Sequence, residues 1–169
     1  MKELNLKNIT LIALVASCLL QVGAQMFALS IVASTLTEAP PRSFAMLNGE
    51  YGYNSAAFWN TVPMITFMLF IIALVTNWKT QRRKLILIAL TWFIIGGLVA
   101  GFYLEPAFAD MIKRGYSDQV DPALQKQAKM WYYLDWTVWV LGLLAGLTLL
   151  FALVRPIKAP LQNAVVGKH

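Results

Sequence analysis

Asp135 is the residue most able to do chemistry in this chain, because nothing charged follows it until Arg155 and an apolar run begins at the next residue. An ionisable side chain at the edge of such a run is costly unless it faces other protein groups or water. Trp131 and Trp139 lie four residues to either side and share its helical face, so an indole N–H could donate to the carboxylate. Glu105, just before Pro106, is a second acid at the end of an apolar run, and Glu50 is a third in a loop. Asp135 and Glu105 are the candidate catalytic, proton-handling pair. Gln21 and Gln25, four apart in the first apolar run, need partners away from water. With Asn60, Tyr103, Glu105 and Asp135 at the ends of the other runs, Gln25 gives every long run a polar group at similar depth. Gln21, Gln25, Asn60, Tyr103, Trp131 and Trp139 are the candidate ligand-binding set. The alternative is plain hydrogen bonding between helices, worth about 0.6 to 2 kcal/mol per contact.

Other chemistries find little material. The single cysteine, Cys18, cannot form an internal disulfide, and one histidine, His169, rules out bis-histidine haem and imidazole-based metal sites. Glu50, Glu105 and Asp135 lack the spacing of an oxygen-ligand cation site. No nucleophile elbow and no phosphate loop is present. The expectation is no metal and no cofactor.

The elements that hold these residues follow from composition. At 59% hydrophobic residues and a mean hydropathy of +0.60, the 169-residue chain is too apolar for a soluble domain of its size. Thirty uncharged residues separate Lys7 from Glu38, and uncharged runs of 28, 20 and 19 residues cover 51–78, 85–104 and 136–154. About 20 residues cross a bilayer. The sequence predicts one all-α domain, an integral membrane four-helix bundle, with helices near 9–36, 56–77, 85–104 and 131–154.

The net charge of +6 is read as topology and not as nucleic-acid binding. Lys2, Lys7, Lys79, Arg82, Arg83, Lys84, Arg155, Lys158 and Lys168 fall on one side, and Arg42, Lys113, Arg114, Lys126 and Lys129 on the other. All acids except Glu3 belong to the second side or its boundary. Lys and Arg are retained in the cytoplasm, so both termini are expected inside (N-in/C-in), in a bacterial inner (plasma) membrane. Lys2 and Lys7 before an apolar run also resemble a signal peptide, and Val15-Ala16-Ser17-Cys18 a lipobox. The run continues to Leu36, which favours an uncleaved helix with Cys18 as a packing residue.

Local signals refine the frame. The short basic turn 77–84 makes the second and third helices antiparallel neighbours. Pro63 withholds a donor from the Trp59 carbonyl and should kink the second helix. Asp121-Pro122 reads as an N-cap with proline at the first helical position, so 123–130 should be helical and extend the fourth helix beyond the bilayer. Gly97 and Gly101, and Gly142 and Gly146, are expected at helix contacts.

A small-residue-rich first helix with polar interruptions, the end of the third helix at Phe102-Tyr103-Leu104-Glu105-Pro106, and a polar segment leading to Trp131 together resemble the small four-helix membrane proteins grouped with anthrone oxygenases. The resemblance covers roughly residues 10–154. Asp135 fills that family's polar place four residues after the tryptophan, while Thr137, Val138 and Trp139 stand where it commonly carries an arginine. It implies metal-free oxidation of an electron-rich polycyclic phenol.

The leading expectation is a polar-lined pocket, open on the periplasmic side, for a small hydrophobic or amphipathic molecule. The alternatives are a structural or accessory subunit of a membrane complex and a small proton-coupled carrier acting as a dimer. Membrane lipid, a small hydrophobic ligand, and either a homo-oligomer or a protein partner are the expected associations.

Overall fold

The structure, a computed structural model, describes residues 5–156. The charges assigned to Lys2, Glu3, Lys158 and Lys168, and His169, lie outside the described residues. The described residues contain helices and no strand, and four helices are long and apolar enough to cross a membrane: α1 (Leu6–Glu38), α2 (Ala56–Thr76), α3 (Arg82–Lys113) and α4 (Pro122–Val154). The end holding the α2–α3 turn is called basal below and the opposite end distal.

Three helices outrun the spans expected from sequence. The Asn5 side chain caps the Lys7 N–H, so α1 starts at Leu6. At α4, Asp121 Oδ1 accepts from the N–H groups of Ala123 and Leu124, with Pro122 following as expected. The third helix does not end at Glu105-Pro106. A π-turn at Ala100–Leu104 precedes the proline, which then occupies the first turn of a new α-segment, where its missing N–H is harmless. The helix ends instead at Gly115, whose φ of +73° is the left-handed geometry of a C-terminal cap. A second π-turn, Ala28–Ala33, interrupts α1. Pro63 lies inside α2, which runs through it without a break.

Packing follows the order α3, α4, α1, α2. The α3–α4 seam is the most extensive, and the α2–α3 contact is slight although a tight turn joins the two helices. The membrane-length part has a core of Leu11, Leu14, Phe70, Ile86, Ala89 and Leu149. Phe70 and Phe93, 5.2 Å apart, bridge α2 and α3. A second core forms distally, where Val32, Leu36, Phe44, Met111, Leu124 and Ala128 join the extensions of α1, α3 and α4 to the 3-10 helix Arg42–Leu47. The loop is tied down by Ser43 Oγ donating to the Leu36 carbonyl (2.6 Å) and by the Asp121 N–H donating to the Pro40 carbonyl (3.0 Å). Gly52 is required there, because a Cβ would run into the Leu47 carbonyl.

The glycine expectation divides. A Cβ on Gly146 would stand 3.1 Å from the Leu19 side chain, and one on Gly142 3.7 Å from Val22, so both face α1. Gly97 and Gly101 meet nothing within 4 Å and are exposed. The contact on α3 belongs to Gly96, one residue earlier, against Val138 and Leu141. One residue is about 100° of helix, which turns Gly97 and Gly101 off the α4 face.

Candidate functional site

Two polar layers hold the bundle, one at each end of the apolar core. At the distal end Gln25 Nε2 donates to Asp135 Oδ1 at 2.8 Å, joining α1 to α4. Each residue lies 19 positions from the basal end of its helix, Leu6 or Val154, which is about 29 Å at 1.5 Å per residue. That span is close to the roughly 30 Å thickness of a bilayer's hydrocarbon layer, and the pair lies between the two hydrophobic cores. Gln25 is the acid's only side-chain partner among the described residues, and no Lys or Arg is within ion-pair distance. An ionised carboxylate offers about four acceptor sites, so most of its capacity is free.

Gln21 does not share this partner. Its Nε2 donates to Thr66 Oγ1 (2.5 Å), which also bonds Ser17 Oγ (2.6 Å) and donates to the Val62 carbonyl (2.9 Å). Helix α1 packs between α2 and α4, so residues four apart on its polar stripe reach opposite neighbours.

The indoles do not donate to Asp135. Trp139 Nε1 donates to the Val22 carbonyl and Trp131 Nε1 to the Leu104 carbonyl, both at 3.0 Å. Trp131 also stacks on Phe108 with ring centroids 5.2 Å apart, locking the distal extension of α3 against α4. Beside Asp135, Tyr132, Trp136 and Trp139 form a run of edge-on aromatic contacts.

Three candidates stay apart from the pair. Glu105 is exposed, because Leu104, Phe108 and Met111 take the buried stripe of α3 there. Tyr103 is 42% exposed, and Asn60 is exposed about 120° around α2 from the buried Thr66. No side-chain hydrogen bond joins Asn60, Tyr103 or Glu105 to Gln25 or Asp135. Among the described residues no three His, Cys, Asp or Glu side chains come together, so Glu50, Glu105 and Asp135 form no common site.

The basal layer contains residues that the sequence reading treated only as charge or turn. Arg82 is 5% exposed, and no carboxylate meets it. Its Nε and one terminal nitrogen donate to the Arg155 carbonyl (2.9 and 2.7 Å), that nitrogen also to the Leu153 carbonyl (3.0 Å), and the other to Asn8 Oδ1 (2.7 Å). The cation thus closes the C-terminal end of α4, where the helix dipole is negative, and ties it to α1. Beside it the fully buried Asn77 donates to the carbonyls of Ala73 and Lys7, and Thr10 pairs with Thr76 at 3.0 Å. Asn77 and Arg82 flank a short turn and Asn8 lies in the first turn of α1, but nothing in their spacing names these partners.

Comparison of the chain with protein-family models, with curated proteins and with solved structures returns no match.

Proposed function

We propose that this chain is a multi-pass protein of the bacterial inner membrane, with both termini cytoplasmic, that binds a small amphipathic molecule at Asp135 near the periplasmic surface. The basal end carries Lys7, Lys79, Arg82, Arg83, Lys84 and Arg155, to which the sequence adds Lys2, Lys158 and Lys168, against Arg42, Lys113, Arg114, Lys126 and Lys129 toward the distal end, the cation bias expected when the basal end is cytoplasmic. A cysteine introduced at exposed Gln81 in a Cys18→Ser background should resist a membrane-impermeant thiol reagent in intact cells, and one at Ser117 should label. The reverse pattern would overturn the orientation.

One observation carries the binding reading: an acid at the membrane edge whose only side-chain partner among the described residues is a neutral amide. A residue kept merely to bond two helices would not need a charge. Its unused acceptor capacity fits a ligand that presents a hydrogen-bond donor or a cation, with the aromatic run Tyr132, Trp136 and Trp139 beside it for an apolar body. Any oxygenase-like step of the kind the resemblance implies would rest on Asp135 without Glu105. The test is purification in mild detergent and mass spectrometry of what co-purifies. A reproducible small molecule lost in Asp135→Asn supports the proposal, and an identical spectrum from the variant overturns it.

A second reading, the accessory subunit, draws on a different observation. Gly97 and Gly101, one turn apart on α3, face away from the chain's own helices, as a surface for a partner helix would. The carrier reading is the least supported. Between Thr10 and Ser17 on α1 the core is dry, with Leu11, Leu14, Phe70 and Ala73 fully buried, so the polar groups form no continuous track.

A further inference from the structure

An open groove of about 450 Å³ runs along the α3–α4 seam at the basal end, between Leu85 and Ile88 on one side and Thr148, Phe151 and Val154 on the other, with Arg155 at its mouth. The walls are mostly apolar and belong to membrane-length helices, so an occupant enters from the bilayer. Around the next corner a shallower cleft of about 350 Å³ is lined by Trp78, Lys79, Arg83 and Lys84 among others, with Arg83 over the Trp78 ring at 4.9 Å. Lys84 belongs to this cleft and its neighbour Leu85 to the groove, so the basic collar leads from one to the other.

Among the described residues these cations meet no anion. Every acid among the described residues lies toward the distal end, and the one ion pair found there joins Arg114 to Asp121. Positive charge needed only to fix topology requires no groove. Here an apolar slot opens beneath an exposed arginine that meets no acid among the described residues. We infer that the groove is a binding site for an anionic phospholipid, with an acyl chain along the α3–α4 seam and the phosphodiester headgroup at Arg155 and Lys84. Arg82 takes no part in holding the headgroup, because its donors are committed to α4 and Asn8. It holds the Arg155 backbone in place instead. A juxtamembrane cation contributes about 1 kcal/mol toward an anionic lipid, so losing one should lower affinity about fivefold.

The experiment is native mass spectrometry of the full chain in mild detergent, titrated with dioleoyl phosphatidylglycerol or with dioleoyl phosphatidylcholine. Phosphatidylglycerol should bind in preference, and Arg155→Gln should weaken it about fivefold, while Lys126→Gln at the distal end should leave it unchanged. Arg155→Gln keeps the backbone carbonyl that Arg82 uses, so the fold is retained. A circular dichroism melt matching the parent checks this. Equal binding of the two lipids, or equal effects of the two substitutions, would overturn the site.

Discussion

The two polar layers handle charge in opposite ways. Basal Arg82 is a cation without an acid, yet two carbonyls at the end of α4 and the Asn8 amide receive its donors, and it is nearly sealed from its surroundings. Distal Asp135 is an acid without a cation, met by one amide and half-open. A buried charge that is fully satisfied rigidifies the structure around it. One with spare capacity costs stability, and groups of that kind concentrate at functional sites. The proposed division, with the basal layer as architecture and the distal layer as a binding site, rests on this contrast.

The largest test of that contrast is Arg82→Ala. It strands the Leu153 and Arg155 carbonyls and the Asn8 amide together, and should lower unfolding stability in detergent by about 2 to 4 kcal/mol, read from chemical denaturation. Arg82→Lys should recover only part of this, because an ammonium cannot reproduce the guanidinium fork. Gly146→Leu comes next, forcing atoms into the Leu19 contact at a cost of about 1 to 3 kcal/mol in the same assay. The Gln25 and Asp135 pair should contribute far less. A double-mutant cycle with Gln25→Ala and Asp135→Ala should give a coupling of about 0.6 kcal/mol, the usual size for a hydrogen bond between membrane helices. A coupling as large as the Arg82 effect would make both layers architectural and remove the main support for binding. Smallest of all, Gly97→Leu should change stability by no more than about 0.5 kcal/mol, since its side chain enters open space. If it nevertheless abolishes function in cells, the subunit reading gains.

What could be read from the sequence was what depends on one segment at a time. Long uncharged runs mark spans because unpaired backbone groups exclude other structures from lipid. Asp121 and Pro122 announced the start of α4 because a cap is a local device. Gln25 and Asp135 were marked because an amide and an acid in apolar runs need partners, although their pairing depended on helix order. Thr66 was missed because a threonine in a helix can satisfy itself on the carbonyl four residues back, as it does with Val62, so its presence signals no debt. Arg82 looked the same as Arg83 in sequence. Only the return of α4 to the turn separates a buried clamp from a surface cation. Glu105 turns outward because α3 does not end at Pro106: a π-turn lets the helix pass the proline with a different face turned inward.

Those two π-turns, Ala28–Ala33 and Ala100–Leu104, both lie where the apolar bundle passes into the distal core. A π-turn holds one residue beyond the α-helical register, and one residue is about 100° of rotation. Each turn therefore works as a phase adjuster, letting the distal part of a helix aim its apolar stripe independently of the part inside the bundle. In descendants of this chain, single-residue insertions and deletions should be absorbed at 28–33 and 100–104 more readily than elsewhere in α1 and α3. A shift in register at those places would re-aim the distal extension while leaving the bundle packing in step.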